Sequence, residues 1–226
     1  MGTRSELSGM KTAVVIDNGD FPKKEYPRYL LRQADLIVCC DGALMKYFRN
    51  MEAVFGCERM PDIVIGDMDS ISSAARKRFT GTLVHVAEQE TNDQTKAVSY
   101  IVDNFKDVSG IFILGGSGAR EDHTIGNLSL LMEYARRYGD RPHVEMVSDW
   151  STAFAVTDTT DISCGTGRSF SLFSPDSSLR IRSKGLEWPT DDVVFDNWWK
   201  ATLNRASEDT VRLEFSHPSV ALVILD

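Results

Sequence analysis

The amino-acid sequence predicts an α/β protein in two parts: an N-terminal doubly wound, Rossmann-like domain with a mostly parallel sheet, then a small C-terminal all-β sandwich. Three observations carry this. Up to residue 155, short apolar runs alternate with stretches of helical periodicity, the pattern of repeated strand–helix units. The strand-like runs end in turns rich in glycine and aspartate, which is where open α/β sheets gather their ligands. From residue 156 onward no helical period is present, and Gly165, Gly167, Pro175, Gly185, Pro189 and Pro218 punctuate short alternating segments. Residues 1–155 are therefore expected to form one domain and residues 156–226 the other.

Taken in order, Lys11–Ile16 (KTAVVI) is the first strand, closed by Asp17-Asn18-Gly19-Asp20. Pro27 opens a helix that runs to Gln33, because its fixed φ suits a first helical position. Residues 35–40 form a second buried strand closed by Asp41-Gly42-Ala43, and a helix follows through Met45 and Phe48. The apolar run at 61–65, bounded by proline and by Gly66, reads as a central buried strand. A short helix at 72–79 and a strand at 82–86 come next. Residues 93–105 place Val98, Ile101, Val102 and Phe105 at helical spacing, with Asp93 at the capping position. A strand at 111–114 runs into Gly115-Gly116-Ser117-Gly118. The helix after it sets Ile125, Leu128, Leu131, Ala135 and Tyr138 on one face and stops at Gly139. Residues 144–147 are the last strand of this kind. In the second part the alternating runs are Ser169–Phe173, 179–183, Thr210–Phe215 and 220–225. A domain of roughly 70 residues has a marginal core, so it is expected to dock on its own α/β domain or on a partner chain.

With 226 residues, 42% hydrophobic and 26% charged, the chain has a globular composition. Its formal net charge of −8 argues against nucleic acid and anionic membrane as partners. The first ten residues are polar and lack the apolar core of a signal peptide, and no window approaches about 18 consecutive apolar residues. Cys39, Cys40, Cys57 and Cys164 lack metal-ligand spacing and read as reduced thiols. A cytoplasmic location is expected.

The densest chemistry lies in Gly66-Asp67-Met68-Asp69-Ser70. Asp67 and Asp69, at i and i+2 of an extended segment, point the same way. At about 4 Å they would repel by roughly 4 kcal/mol at an effective dielectric near 20, a penalty that a divalent cation removes. Oxygen-only ligands suit Mg²⁺ shared with substrate phosphates. On its own, a solvated acidic loop with Ser70 capping the next helix is slightly favoured, but the other loops reverse that. Thr91-Asn92-Asp93-Gln94-Thr95-Lys96 sets Lys96 on the same face as Asp93, an acid for a metal and a base for a phosphate oxygen. Gly115-Gly116-Ser117-Gly118 leads through Arg120, Asp122 and His123 into a helix, and such a loop binds anions through its N–H groups and the helix dipole. It is neither a Walker A loop nor a Gly-x-Gly-x-x-Gly fingerprint. Arg120 can hold phosphate oxygens bidentately; Asp122 can cap the helix, ligate metal or hold a substrate hydroxyl.

Together these elements resemble the thiamine pyrophosphokinase family. The resemblance is carried by Asp41-Gly42-Ala43, Pro61-Asp62, Gly66 through Ser70, Asn92-Asp93 with Lys96-Ala97, and Gly115-Gly116 through Arg120, Asp122, His123 and Asn127-Leu128. In the second part it rests on Ser171-Leu172, Gly185 through Pro189, and Thr202-Leu203-Asn204. Asn92 stands where the family often has threonine, and Leu203 where it usually has serine. The resemblance implies transfer of the pyrophosphoryl group of ATP to the hydroxyl of thiamine, giving thiamine diphosphate and AMP. It assigns Asp67, Asp69 and Asp93 to Mg²⁺, Arg120 and the glycine loop at Gly116 to phosphates, and Asp122 to orienting or deprotonating the attacking hydroxyl. Asp41, Gln89, Lys96 and His123 are expected at the same ATP site. Trp188, Thr202 and Asn204 are expected at thiamine, where stacking of Trp188 on the cationic ring is worth about 0.5–2 kcal/mol. Residues 1–155 would then be the catalytic, ATP- and Mg²⁺-binding domain. Residues 156–226 would bind thiamine and dimerise, in a homodimer whose thiamine site is shared between chains. Two rivals are an Asp-x-Asp phosphatase, whose motif normally follows the first strand, and a non-catalytic sensor of thiamine diphosphate or nucleotide.

Overall fold

The computed structural model describes residues 11–139 and 141–226. These fall into two compact units, residues 11–127 with 141–149 and residues 128–139 with 150–226.

In the first unit, β1 (Lys11–Ile16), β2 (Leu36–Cys40), β3 (Ile63–Gly66), β4 (Thr82–His85), β5 (Val108–Leu114) and β6 (His143–Val147) form a parallel array in the order β6-β5-β1-β2-β3-β4. β2 and β3 are buried along their whole length and β1 from its second residue, as strands covered on both faces must be. β4 at the edge is half exposed. The chain steps outward from β1 through β4 and then returns to β5 on the other side of β1. The strand order therefore reverses between β1 and β5, where such sheets open a crevice at their carboxyl ends.

The connecting helices are α1 (Glu25–Gln33), α2 (Leu44–Phe55), α3 (Ser73–Arg78) and α4 (Asp93–Asn104), and α5 (Glu121–Tyr138) follows β5. Asp41–Ala43 form a single 3-10 turn before α2. α1 begins two residues ahead of Pro27. Two expected caps move. Ser72, not Ser70, caps α3, its hydroxyl accepting from Ala75 N at 3.2 Å. Asn92, not Asp93, caps α4, accepting from Thr95 N at 2.9 Å. In each case the capping residue is the last with extended backbone, the geometry a cap requires. β5 starts at Val108, earlier than expected, because it pairs with β1 from Lys11. α5 ends at Gly139, whose φ of 70° is left-handed and whose N–H reaches Ala135 O at 3.0 Å. The buried stripe of α5 runs through Leu131, Met132 and Tyr134, whereas Ile125, expected on that face, is 53% exposed.

In the second unit β7 (Thr152–Val156), β8 (Thr160–Ser163), β9 (Ser169–Phe173), β10 (Ile181–Lys184), β11 (Asn204–Arg205), β12 (Thr210–Phe215) and β13 (Ala221–Leu225) make two antiparallel layers. Their orders are β11-β9-β13-β7 and β10-β12-β8. Alternate residues face inward: Phe154, Phe170, Leu172 and Val223 from one layer pack with Ile162, Ile181, Val211 and Leu213 from the other. This is the expected sandwich, and its first strand already begins at Thr152. Among the described residues no helix is long and apolar enough to cross a membrane. All four cysteines are free, and only Cys57 is exposed.

Candidate active site

At the carboxyl ends of β1, β2 and β5 lies a cleft of about 370 Å³. The β1–α1 loop is laced to the glycine loop: Asp17 N donates to Leu114 O at 2.8 Å, Gly19 N to Gly115 O at 2.7 Å and Asp20 N to Ser117 O at 2.8 Å. Only glycine fits at 19, since a Cβ there would stand 2.2 Å from Ser117 O. Lys46 Nζ pins the same loop through Gly19 O at 2.9 Å.

Of the expected residues, Asp41, Asp93, Gly116, Arg120 and His123 all line the cleft. Asp41 is buried at the end of β2, and its Oδ2 accepts from Met68 N at 2.9 Å, fixing the acidic loop. Met68 is held at a φ of 69°, unusual for a side chain of its size. Gly66 leaves room for Asp41, because a Cβ at 66 would come within 2.6 Å of Asp41 Cγ. Burial raises the Asp41 pKa, and the charges of Asp93 and Asp67 raise it further. Asp67 is held low by the N–H of Asp69 at 3.1 Å and by the Gln89 amide, whose Nε2 donates to Oδ2 at 3.1 Å. Lys96 Nζ lies 3.3 Å from Asp93 Oδ1, and its side chain is only 4% exposed, so it is no ordinary solvated lysine.

Asp67, Asp69, Gln89, Lys96 and Asp122 lie outside the cleft lining but are tied to it. The ties run from Asp41 to Met68, from Asp93 to Lys96 and from Arg120 to Asp122. Arg120 donates to both carboxylate oxygens of Asp122, Nε at 3.1 Å and Nη2 at 2.5 Å. That pairing keeps the Asp122 carboxyl below its ordinary range, which suits it better to orient a hydroxyl than to deprotonate one. Among the described residues no three His, Cys, Asp or Glu side chains converge closely enough to hold a metal ion.

Two cleft residues were given no role from the sequence, although Asp17 closes the first strand and Asn127 is among the residues that carry the resemblance. Asp17 is 7% exposed; its Oδ1 accepts from Cys40 Sγ at 2.9 Å and its Oδ2 has no hydrogen-bond partner among the described residues. Burial, opposed by the Cys40 bond and aided by the Asp93 charge, pushes its pKa up to about 7. The available signal was a carboxylate directly after the apolar run at 13–16. Asn127 is also buried, and it accepts from Asn92 Nδ2 at 3.0 Å while donating to Gly116 O at 2.9 Å.

In the second unit Trp188 is 56% exposed. The buried Asn204 holds both sides of its backbone, accepting from Trp188 N at 3.2 Å and donating to Trp188 O at 2.6 Å. Thr202 Oγ1 donates to Trp199 O at 2.7 Å. Between them Leu203 has a φ of 59° and is 83% exposed.

The family model for the catalytic domain of thiamin pyrophosphokinase matches residues 27–140, and the model for its substrate-binding domain matches residues 152–219. The chain belongs to the thiamin pyrophosphokinase family. Thiamine pyrophosphokinase 1 of Oryza sativa subsp. japonica is 28% identical over 89% of this chain and 82% of its own length. Thiamine pyrophosphokinase 1 of Arabidopsis thaliana is 32% identical over 56% of this chain and 53% of its own length. Among solved structures, yeast thiamin pyrophosphokinase superposes with a TM-score of 0.77 at 16% identity, covering 96% of this chain and 86% of that one. The Candida albicans thiamin pyrophosphokinase gives 0.75 at 17% identity, covering 98% and 90%. These likenesses establish the fold, an α/β part followed by an antiparallel β part. Thiamin pyrophosphokinases are enzymes, and this chain is one of that family. The family match begins after Asp17, so the β1–α1 loop lies outside it.

Proposed function

We propose that this chain transfers the pyrophosphoryl group of ATP to the hydroxyl of thiamine, giving thiamine diphosphate and AMP. The observation that carries the reading is the meeting, in one cleft, of the carboxylates Asp41 and Asp93 with the glycine loop and Arg120. In-line attack of the thiamine oxygen on the β-phosphorus breaks the bond to the α-phosphate and releases AMP. Such a transfer needs positioning and charge neutralisation, with no covalent nucleophile.

Asp67, Asp69 and Asp93 would hold Mg²⁺. The donors fit a hard cation in kind, being all oxygen, and the charges of Asp93 and Asp67 both act on Asp41, which supports a cation among them. Because no three of these side chains converge by themselves, phosphate oxygens and water would complete the shell. When bound, the metal neutralises the polyphosphate. Gln89 keeps Asp67 oriented. Lys96, His123 and the N–H groups around Gly116 receive phosphate oxygens, and Arg120 exchanges Asp122 for phosphate, which frees Asp122 to orient the attacking hydroxyl.

Trp188 stacks on thiamine, Thr202 lies beside it, and Asn204 presents the Trp188 loop. The chain is a homodimer, with the catalytic domain of one protomer meeting the thiamine-binding domain of the other. A cytoplasmic location fits four free cysteines.

The test is AMP release from ATP and Mg²⁺, with and without thiamine, in wild type and Asp69→Asn. Thiamine-dependent AMP that disappears in the variant supports the reading. Tight thiamine binding without AMP supports the sensor instead, and inorganic phosphate as product supports the phosphatase.

A further inference from the structure

Asn92 and Asn127 form a link that the chemistry above does not use. Asn92 Oδ1 caps α4 through Thr95 N at 2.9 Å, which turns its Nδ2 toward Asn127 Oδ1 at 3.0 Å. Asn127, nearly two turns into α5, passes the link on through its own Nδ2 to Gly116 O at 2.9 Å. Its backbone carbonyl also accepts from Gln94 Nε2 at 3.4 Å. Each amide has a donor on one side and an acceptor on the other, so flipping either one would set like groups against each other. Gly116 is confined from its other side, where a Cβ would stand 2.4 Å from Met146 Sδ.

We propose that Asn127 is a positioning residue: with Asn92 it locks the start of α4, which carries Asp93 and Lys96, to the glycine loop at Gly116, and so sets the spacing between carboxylate and phosphate cradle. The proposal rests on the reading above that ATP binds in this cleft. Asn127 acts through the two elements it joins, since both ends of its amide are engaged, by Asn92 and by Gly116 O. Its side chain is short and buried, with directional bonds at both ends, so it transmits position rather than charge. A threonine hydroxyl can cap the helix, but it ends one bond before the amide nitrogen that reaches Asn127.

The test uses the full chain as Asn92→Thr, Asn127→Ala and the double variant. It measures titration of α,β-methylene-ATP with Mg²⁺ by calorimetry, steady-state KM and kcat for both substrates, and Tm. Each single variant is expected to weaken nucleotide binding about tenfold and to raise the KM for ATP, with the KM for thiamine unchanged. Asn92→Thr keeps the cap and loses only the bond to Asn127, so its Tm is expected to fall less than that of Asn127→Ala. The double variant is expected to bind no more weakly than the worse single one, since both remove one link. Nucleotide affinity within twofold of wild type in the single variants, or losses that multiply in the double, overturns the proposal. If Asn127→Ala does not fold, Asn127→Asp takes its place, keeping the acceptor for Asn92 but facing Gly116 O with a second acceptor. Absence of AMP from wild type would sink the proposed reaction, whereas the nucleotide titration requires no turnover and still tests the link.

Discussion

Asp17 is a buried carboxyl with a thiol on one oxygen and, among the described residues, no hydrogen-bond partner on the other. Its folded pKa of about 7 lies above the ordinary 3.8, so the folded state binds the proton more tightly than the unfolded chain does. Its contribution to stability is therefore fully present below about pH 4 and is lost as pH rises toward 7. Asp17→Asn keeps the acceptor for Cys40 and removes the ionisation. In urea denaturation without divalent cations, the variant should gain on wild type progressively between pH 4 and 7, by up to ~4 kcal/mol at the upper end. A stability difference that stays flat across that window would show that Asp17 is not the titrating group. The reverse situation holds at Asp122, where Arg120 keeps the carboxyl ionised. Asp17 is buried, whereas the Asp122 side chain is 62% exposed beside a guanidinium, and their shifts run in opposite directions.

At the scale of elements, the cleft is made by loops that touch through backbone, and glycine sets how closely they approach. Gly19→Ala would push the β1–α1 loop off Ser117 O and Gly115 O, which are fixed backbone atoms that cannot rotate away. The expected cost is about 1–3 kcal/mol of stability together with weaker nucleotide binding, read by Tm and by calorimetry. Gly56→Ala is the control: it meets nothing within 4 Å and strains only a left-handed φ of 71°, so it lowers Tm without touching nucleotide affinity. The helix starts show where local pattern fails. Asp93 and Asn92 are both good capping residues by type, and the backbone conformation selects Asn92. That choice frees the Asp93 carboxylate to meet Lys96 and the cleft.

At the scale of the whole molecule, the exposed Trp188, Trp198, Trp199 and Leu203 of the β unit are the kind of apolar surface that a partner covers. If the thiamine site is shared between protomers, Asp69→Asn and Trp188→Ala damage different halves of it. Asp69→Asn alone should be nearly inactive, and Trp188→Ala, assayed at limiting thiamine, should lose activity by about 2–30-fold. Mixing equal amounts under conditions that exchange subunits should restore about a quarter of wild-type activity, because half the dimers carry one intact site. No recovery, with exchange verified by differently tagged protomers, would place both residues in the same chain's site.

The periodicities are local properties, and they alone determined the strand–helix alternation, the change to β structure in the second half, and the glycine that ends α5. The motifs likewise drew attention to Asp41, Asp67, Asp93, Gly116 and Arg120, and all but Asp67 line one cleft. β7 and β8 were not marked as strands, since TAFAV and TDIS have no distinctive period. Only the tertiary structure decided which polar groups are buried and what they face. Lys96 reads as solvated by type yet is enclosed, Arg120 pairs with Asp122, and Asn127 joins two elements far apart in sequence. Burial and hydrogen-bond partners come from segments that converge only on folding, so the desolvation that shifts Asp17 and the link through Asn127 have no local signature in the chain.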